Sequence, residues 1–458
     1  MPWRSSNRDR QLGILGAGAS GLSLALLADA DYMIVEKDHR VGGHAASTCV
    51  DGWVFDQGPH IMFSRDQLVL DCMVASLGRN VRRGRRNNKV AVANSLARYP
   101  LENDLAALPL PLRADAVISM LHARETRTDP RNLAEWFEAN FGEVLVSTYF
   151  RPYNEKLWNV PLERLSMSWA DRIPQPPVDD VIRGAVGECS EGYLHQLNYF
   201  YPLRGGYSAL VNAWASGIGP QDLVLGSPVE RVIPIGDGVV VESSRGEWRF
   251  GQVVSTLPLR HLVDMVPGVP DSVAAAVSRL IVNPMVIATF GFEGPAPNDF
   301  TAVYIPDAGY LVNRVSYPAV FSPHNAPPGC FSVQAEITCA RGAELLGWSD
   351  DAICEHMLDG LRTRSLVPSG CEPVFRWIER LDQAYIVYTN DYEHDVRLAA
   401  DWFAGQGIIL HGRFGLHQYL NIDGCLRGSI ELARKLGAQL TDEDIRRRFE
   451  GLPADGER

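Results

Sequence analysis

Apolar and polar positions near the start of the chain alternate in an order that predicts a nucleotide-binding unit. The apolar run Leu12–Leu15 predicts a strand, the apolar spacing from Leu22 to Leu27 predicts a helix, and Tyr32–Val35 predicts a second strand. A strand, a helix and a second strand in this order form a parallel βαβ unit, which indicates an α/β protein.

The turn between the first strand and the helix carries glycines at the spacing GxGxxG. Gly16 permits the tight turn, Gly18 lets the backbone approach a pyrophosphate, and Gly21 lets the helix pack on the strand. Ser20 lies in the same turn, and Glu36 follows the second strand, where it can accept hydrogen bonds from both hydroxyls of an adenosine ribose. All five residues are therefore predicted to take part in binding a dinucleotide.

A second glycine pair, Gly42-Gly43, follows closely and is itself followed by His44. Such a pair brings further backbone N–H groups beside the same pyrophosphate, which is typical of proteins that bind FAD. The stretch resembles the flavoprotein superfamily that includes amine oxidases, protoporphyrinogen oxidases and sugar-nucleotide mutases. A simple nicotinamide-dependent dehydrogenase is the lesser alternative.

The later pattern predicts two further units. Helical spacing predominates between about 105 and 188, and strand-like runs return from 223 onwards. The predicted helices are 133–141, 143–150, 179–186 and 424–436, and the predicted strands are 223–225, 229–233, 238–243, 252–256, 285–292, 302–305, 310–315 and 331–337. Residues 408–413 are predicted to return to the cofactor-binding domain. This order indicates an α/β chain with a Rossmann-like FAD-binding domain, an inserted helical domain that covers the substrate, and an antiparallel-sheet substrate domain. The predicted ranges are 10–80, 205–275 and 400–440 for the first, 103–190 for the second, and 81–102, 191–204 and 276–399 for the third, with a flexible tail at 451–458.

Composition narrows the class of protein. The chain has 458 residues, enough for two or three domains, and a formal net charge of -12. An acidic surface argues against nucleic-acid and anionic-membrane binding, so an anionic ligand needs a local basic pocket. No run is apolar enough for a signal or a membrane span, which predicts a cytoplasmic protein. The 8 cysteines are scattered without a CxxC pair, so neither a metal site nor a disulfide framework is predicted.

Several longer segments carry a more specific resemblance. Residues 150–161 resemble the RPYNxKxW segment of UDP-galactopyranose mutases, residues 99–103 their YPFQN segment, 200–206 their FPARGG turn, 304–307 their YFPE element, and 412–423 the GRFG and YxNxD segments. The chain therefore resembles the flavin-dependent UDP-galactopyranose mutase family from about residue 12 to residue 436.

The resemblance implies roles for particular side chains. Arg151 and Arg314 are implied to clamp the nucleotide diphosphate, since two guanidinium forks can neutralise and orient a leaving phosphate. His60 is implied to lie beside the flavin, where Pro59 replaces a family glycine. The further implied substrate contacts are Tyr99, Trp136, Tyr304, Tyr385 and Tyr419, with Tyr385 also near the reacting sugar, and the further cofactor contacts are Val229, Arg413 and Asp423. Taken singly, Arg151 also fits a structural salt bridge, Trp136 fits helix packing, and the tyrosines fit a core.

The activity implied is a pyranose/furanose exchange in a nucleotide-diphosphate sugar, in which reduced FAD serves through its N5 atom as nucleophile at the anomeric carbon. An external NAD(P)H reductant is implied, although no second nucleotide-binding fingerprint is present. The sugar and the base stay open, with UDP-galactose the first to test, and homo-oligomerisation stays open too. An FAD-dependent oxidase or dehydrogenase of an amine or other small metabolite, and a non-catalytic nucleotide-sugar binding protein, are the alternatives.

Overall fold

The computed structural model describes residues 10–126, 129–188 and 197–452. The predicted tail at 451–458 lies outside them, apart from its first two residues. The strands are β1 (Arg10–Leu15), β2 (Tyr32–Val35), β3 (Ser47–Val50), β4 (Trp53–Asp56), β5 (Val81–Arg85), β6 (Asn88–Val92), β7 (Ser95–Arg98), β8 (Asn198–Pro202), β9 (Leu223–Val224), β10 (Val229–Ile235), β11 (Gly238–Ser243), β12 (Gly246–Ser255), β13 (Ile281–Glu293), β14 (Ala302–Tyr304), β15 (Arg314–Ser316), β16 (Cys330–Thr338), β17 (Phe375–Val387) and β18 (Ile408–Leu410).

The α-helices lie between these strands and, for the last three, after β18. They are α1 (Ala19–Leu27), α2 (Gln67–Ala75), α3 (Leu110–Glu125), α4 (Leu133–Leu145), α5 (Arg151–Trp158), α6 (Val178–Ala185), α7 (Ser208–Ser216), α8 (Leu259–Met265), α9 (Asp271–Arg279), α10 (Pro318–Phe321), α11 (Asp350–Thr363), α12 (Tyr392–Gly405), α13 (Gly412–Gly415), α14 (Ile422–Lys435) and α15 (Asp442–Phe449). None of the described helices is long and apolar enough to cross a bilayer.

The first sheet is built on the predicted βαβ unit. β1 pairs in parallel with β2 and with the second half of β12, and β9 and β18 extend this parallel part at its two sides. The first half of β12 instead pairs antiparallel with β11, which pairs with β10. β12 therefore belongs to a parallel sheet at one end and to an antiparallel meander at the other, and the α/β fold class is confirmed.

The second sheet has the order β17-β13-β16-β15-β14-β6-β7. Its pairs are antiparallel except β6 with β14, which run parallel. The strand predicted at 310–315 is wrong for its first residues, because the strand begins only at Arg314. Tyr310 follows a turn at Asp307 instead, and its buried hydroxyl donates to the carbonyl of Met357 at 2.6 Å.

The helical unit contains α3 to α6 around an aromatic core. α4 is kinked at Gly142, whose φ of 74° lies in the left-handed region. A Cβ on Gly142 would lie 2.4 Å from the backbone of Ser119, so the close approach of α3 explains why glycine stands here. A π-helical turn, Val146–Phe150, then leads directly into α5, which begins at Arg151.

Two helices, α12 and α15, belong to the part of the fold that is built on the first sheet, and the sequence patterns did not predict them there. α12 packs against α9, and its Phe403 shares a core with Ile408 of β18, although the sequence range placed its first residues with the second sheet. α15 was not predicted, and it packs against α2 through buried Ile445 and Phe449.

Candidate functional site

The first glycine turn has the geometry that its spacing predicts. Gly16 has a φ of 101°, and its N–H donates to the carbonyl of Val35 at 2.9 Å. A Cβ on Gly21 would lie 2.0 Å from the carbonyl oxygen of Gly16 and 3.3 Å from Ile14. Gly21 therefore acts by letting α1 pack on β1, and it does not line the cavity described below.

The two glycine segments lie side by side. Gly18 and Gly42 form a parallel bridge, and the N–H of Gly42 donates to the carbonyl of Ala17 at 2.8 Å. A Cβ on Gly43, which has a φ of 53°, would lie 3.4 Å from Gly18 Cα. Backbone from both segments thus meets at one surface that side chains leave open, as a bound pyrophosphate requires.

Glu36 is buried at the end of β2. Its Oε2 accepts a hydrogen bond from the N–H of Ala17 at 2.6 Å, and its Oε1 accepts one from the N–H of Asp38 at 2.9 Å. Burial raises the pKa of this carboxyl group, and the two backbone donors oppose that shift. Each carboxylate oxygen keeps a second lone pair, so the group can still accept hydrogen bonds from two ribose hydroxyls.

A single cavity of about 1120 Å³ runs from this glycine surface to the second sheet. It brings together most of the predicted residues. Those that line it are Gly16, Gly18, Ser20, Glu36, Gly43, His44, His60, Val229, Tyr304, Arg314, Tyr385, Arg413, Tyr419 and Asp423. The volume slightly exceeds the range of about 300–1,000 Å³ that is usual for ligand pockets.

Positive charge predominates along the cavity wall. The lining includes the nine basic residues Lys37, Arg40, Arg65, Arg86, Arg172, Arg314, Arg380, Arg413 and Arg427, against the six acidic residues Glu36, Asp38, Asp66, Asp171, Asp382 and Asp423. The chain as a whole carries a net charge of -12, so the cavity is the local basic pocket that an anionic ligand needs.

Two of the three histidines that line the cavity, His44 and His60, are held neutral. Burial, reinforced by the Arg413 guanidinium, lowers the pKa of His44 to about 4 and that of His60 to about 3. His44 Nε2 therefore donates its hydrogen to the carbonyl of Gln383, at 2.6 Å. His60 Nδ1 is buried and has no hydrogen-bond partner among the described residues.

Arg413 and Asp423 come from the chain on either side of the start of α14. Arg413 donates to the carbonyls of Leu420 and Ala384, both at 2.9 Å, and its guanidinium carbon lies 4.1 Å from the centre of the Tyr419 ring. Asp423 lies in the first turn of α14, and burial raises the pKa of its carboxyl group. These contacts fix Arg413 at the cavity wall, which Asp423 also lines, and backbone N–H groups at the start of α14 can join them.

Strand register places Tyr304, Arg314 and Glu336 in one row across the second sheet. Tyr304 lies directly opposite Arg314, and Arg314 directly opposite Glu336. Side chains at opposed positions share a face of the sheet, and Tyr304 and Arg314 show that this face lines the cavity. The row therefore brings together a hydroxyl, a guanidinium and a carboxylate from three neighbouring strands.

Arg314 and Glu336 form a bidentate ion pair. Arg314 Nε donates to Glu336 Oε1 at 2.9 Å, and Nη2 donates to Oε2 at 2.6 Å. Glu336 is fully buried, with an exposed fraction of 0%. Burial opposes the charged form of Arg314, but the Glu336 carboxylate holds its pKa well above the ordinary value. The guanidinium is thus charged, oriented and left with its Nη1 edge for a ligand.

Aromatic rings close the cavity beside Arg314. The rings of Tyr385 and Tyr419 lie 5.8 Å apart, and the ring of Trp158 lies edge-on to both. Tyr99 does not line the cavity, but its ring lies 5.1 Å from that of Tyr304 and so supports the lining tyrosine. Burial raises the pKa of Tyr385, which keeps its hydroxyl protonated and able to donate.

Arg151 does not join Arg314 at the cavity. Its Nη1 pairs with Glu163 at 2.8 Å and with Glu155 at 2.9 Å, and its Nη2 lies 3.7 Å from Glu138. These carboxylates on the helical unit satisfy the guanidinium outside the cavity lining. The convergence of the two arginines predicted from the resemblance is therefore absent in this conformation.

Trp136 also lies away from the cavity. Its side chain is buried in the helical unit, with ring centres 5.4 Å from Phe137 and 5.8 Å from Phe141. This is the helix-packing role that the sequence left open. The predicted nucleotide contact has no counterpart in the geometry, because the ring is enclosed by its own helix and its neighbours.

Three further cavity residues complete the wall. Arg86 lies with its guanidinium carbon 4.5 Å from the centre of the Phe63 ring. Arg172 lies over Tyr419 at 5.2 Å, and Asn88 Nδ2 donates to the Tyr304 hydroxyl at 3.3 Å. The resemblance implies Arg86 as a second candidate for stabilising reduced flavin, with an ordinary basic loop as the alternative, and the structure places it at the cavity. Arg172 and Asn88 were not predicted, since strand and helix packing bring them in.

The residues present fit FAD. A glycine surface without side chains, a ribose-binding carboxylate and an unpartnered histidine nitrogen occur along one basic cavity. Among the described residues, no group of His, Cys, Asp and Glu side chains could hold a metal ion. The fold and the cavity together define a protein of the FAD-binding class.

The chain belongs to the flavin-containing amine oxidoreductase family, whose model matches residues 19–380. Its structure is similar to that of reduced UDP-galactopyranose mutase, with a TM-score of 0.87 and 21% sequence identity over 97% of this chain and 100% of the other. A candidate protoporphyrinogen oxidase from Exiguobacterium gives a TM-score of 0.74 at 16% identity over 94% and 99% of the chains. Putrescine oxidase bound to putrescine gives 0.64 at 16% identity over 94% and 100%. The predicted superfamily is thereby confirmed, and these identities establish a shared fold.

Proposed function

We propose that this protein is a flavin-dependent mutase that interconverts the pyranose and furanose forms of a nucleotide-diphosphate hexose, with UDP-galactose as the first substrate to test. The observation that carries the proposal is the continuity of the cavity. One end has the features of a dinucleotide site, and the other presents Arg314, Tyr304 and Tyr385. A bound sugar nucleotide can therefore set its diphosphate at Arg314 and its sugar towards the cofactor.

The proposed reaction exchanges a ring without net oxidation. Reduced FAD, which the glycine turns, Glu36, Arg413 and Asp423 would hold, would supply a nucleophile for the anomeric carbon. External NAD(P)H is the proposed reductant. The residues of the chain bind the substrate, orient it towards the cofactor and shield the reacting atoms from water.

Arg314 carries the electrostatic part of the mechanism. When the bond from the anomeric carbon to the diphosphate breaks, negative charge develops on the departing oxygen, and a guanidinium already in place stabilises it. Tyr304, directly opposite Arg314, adds a hydroxyl group. Its oxygen accepts a hydrogen bond from Asn88 Nδ2. The same groups retain the diphosphate so that it can return to the anomeric carbon.

Tyr385 and the surrounding rings supply orientation and exclude water. Tyr385 is 5% exposed, and its protonated hydroxyl can donate to a sugar oxygen. Apolar rings around a carbohydrate also remove the water that would hydrolyse a reactive intermediate. Arg151 takes part only if it leaves Glu155 and Glu163 for the more strongly charged diphosphate, and the proposal includes that exchange.

The test is a product assay on the reduced protein. Anaerobic, dithionite-reduced protein is incubated with UDP-, GDP- and dTDP-hexoses, and pyranose and furanose forms are separated by chromatography. We expect ring interconversion of at least one member, lost in Arg314→Met and retained in Arg376→Met, a control on β17 whose arginine lies outside the cavity lining. Isomer ratios that stay constant for every sugar nucleotide contradict the proposal.

An FAD-dependent oxidase is the second candidate. The family model and the shared fold with putrescine oxidase favour it. Substrate-dependent reduction of oxidised flavin, with oxygen consumption and no ring exchange, identifies this function. Binding of sugar nucleotides with neither reaction identifies a non-catalytic binding protein.

A further inference from the structure

We propose that Glu336 is a positioning residue that also sets how tightly the site holds the leaving diphosphate. The inference rests on the proposed function and deepens it by assigning control of anion affinity to a residue that the ligand does not reach. Its basis is the bidentate contact with Arg314 and the complete burial of the carboxylate.

The geometry separates Glu336 from the ligand. Glu336 occupies the Nε and Nη2 edge of Arg314, so the ligand meets the guanidinium from the Nη1 side. The carboxylate therefore fixes the plane of the guanidinium, and it leaves one direction of approach. A second effect follows from charge, because Arg314 and Glu336 together have no net charge. The Arg314 guanidinium attracts an arriving diphosphate, and the Glu336 carboxylate repels it.

This repulsion has a use in the proposed reaction. The diphosphate must be stabilised as it departs and must then return to the anomeric carbon. A bare buried guanidinium would hold the separated anion too firmly, whereas one balanced by a carboxylate stabilises the charge that develops and still releases it. Glu336 is therefore expected to weaken ground-state binding and to favour turnover.

The sheet offers a matched control. Ile287 lies directly opposite Glu336 on one side and directly opposite Glu379 on the other. Glu379 thus belongs to the same row and face, but its carboxylate accepts a hydrogen bond from the neutral amide of Gln57 at 2.7 Å. Glu379→Gln removes the same charge from the same face without touching Arg314.

The experiment measures binding and turnover in FAD-loaded protein. The dissociation constants of UDP and of inorganic pyrophosphate are determined by calorimetry for wild type, Glu336→Gln and Glu379→Gln. Coulomb repulsion across one guanidinium, at an effective dielectric constant of about 20, predicts binding on the order of tenfold tighter in Glu336→Gln. We expect less than a twofold change in Glu379→Gln, and slower turnover of the sugar nucleotide in Glu336→Gln despite its tighter binding.

A purely structural role predicts weaker binding in Glu336→Gln, because a misdirected guanidinium holds any anion less well. Unchanged or weaker binding by folded, FAD-loaded Glu336→Gln overturns the inference. If Glu336→Gln unfolds at the working temperature, its melting temperature is measured with saturating pyrophosphate. Recovery larger than the wild-type shift supports the inference, and absence of such recovery overturns it.

Failure of the proposed function gives a different result. If wild type holds FAD but binds no sugar nucleotide, the mutase proposal fails. Pyrophosphate, which has neither sugar nor base, still compares the anion affinity of wild type with that of Glu336→Gln. The two ideas are therefore decided by separate measurements.

Discussion

Gly21→Ala is expected to disrupt cofactor binding, since it introduces the smallest side chain where the structure has no room. The new Cβ would lie 2.0 Å from the carbonyl oxygen of Gly16, about 1 Å closer than the 3.0 Å below which such contacts are not found. The atoms that the new Cβ would meet first are the backbone carbonyl oxygen and carbon of Gly16, which cannot turn aside as the end of a flexible side chain can. α1 must therefore move away from β1, or the turn at Gly16 must open.

The expected cost is about 3 kcal/mol, the upper part of the usual range for overpacking, because backbone rather than a side chain must yield. If α1 holds its position, the cost appears as a lower free energy of unfolding. If α1 moves, Gly18 and Ser20 leave the cavity wall and FAD affinity falls about 100-fold. The structure therefore predicts the sum of the loss in the free energy of unfolding and the loss in the free energy of FAD binding.

The assay combines FAD titration of the apoprotein with urea unfolding of the same preparation. Gly405→Ala is the control, because Gly405 ends helix α12 and a Cβ there would meet no heavy atom within 4 Å. That variant is expected to equal or slightly exceed wild-type stability. Wild-type FAD affinity together with wild-type stability in Gly21→Ala would refute the packing argument.

The remaining predictions concern charge. Arg314→Lys is expected to bind UDP about 10- to 100-fold more weakly with FAD content unchanged, because an ammonium cannot keep the bidentate pair with Glu336 and also face the ligand; equal calorimetric Kd values for the two proteins contradict this. Arg151→Met is expected to lower kcat at least tenfold while the free energy of unfolding changes by less than about 1 kcal/mol, since its ion pairs are partly exposed; Arg183→Met, whose arginine pairs with Glu188 on the same helical unit, is the control, and equal kcat values would remove Arg151 from the mechanism. Burial lowers the pKa of His417 to about 4, so the folded protein resists its protonation, and stability present above pH 6.5 is lost as the pH falls towards 4. His417→Asn, suited to the positive φ at this position, should lessen that fall by about 1.4 kcal/mol per pH unit in urea unfolding, and parallel pH profiles for variant and wild type would contradict the prediction.

The cofactor end of the cavity was predictable because its geometry is local. The GxGxxG turn, the acid after β2 and the second glycine pair act within a span of about thirty residues, where the order of strand, turn and helix fixes their relative positions. The structure places Gly18 beside Gly42, and Glu36 beside Ala17, as that order requires.

The substrate end depended on packing that no short segment encodes. Arg151 meets Glu138 and Glu163 because helices fold against each other, and nothing in its own motif announces those carboxylates. Glu336 was missed for a similar reason, since it becomes the partner of Arg314 only through antiparallel pairing across 22 positions. Residue types in a resembling segment thus identified the cavity tyrosines, but they did not give the conformation of Arg151.

The shared strand β12 makes the cofactor end dependent on distant parts of the chain. β12 pairs with β1 and with β18. β18 begins almost 400 residues after the start of β1. During synthesis on a ribosome the early βαβ unit emerges long before β18 and α14 do. The nascent polypeptide must therefore remain able to fold without its coenzyme until β18 and α14 have been synthesised, so that flavin incorporation waits for their emergence.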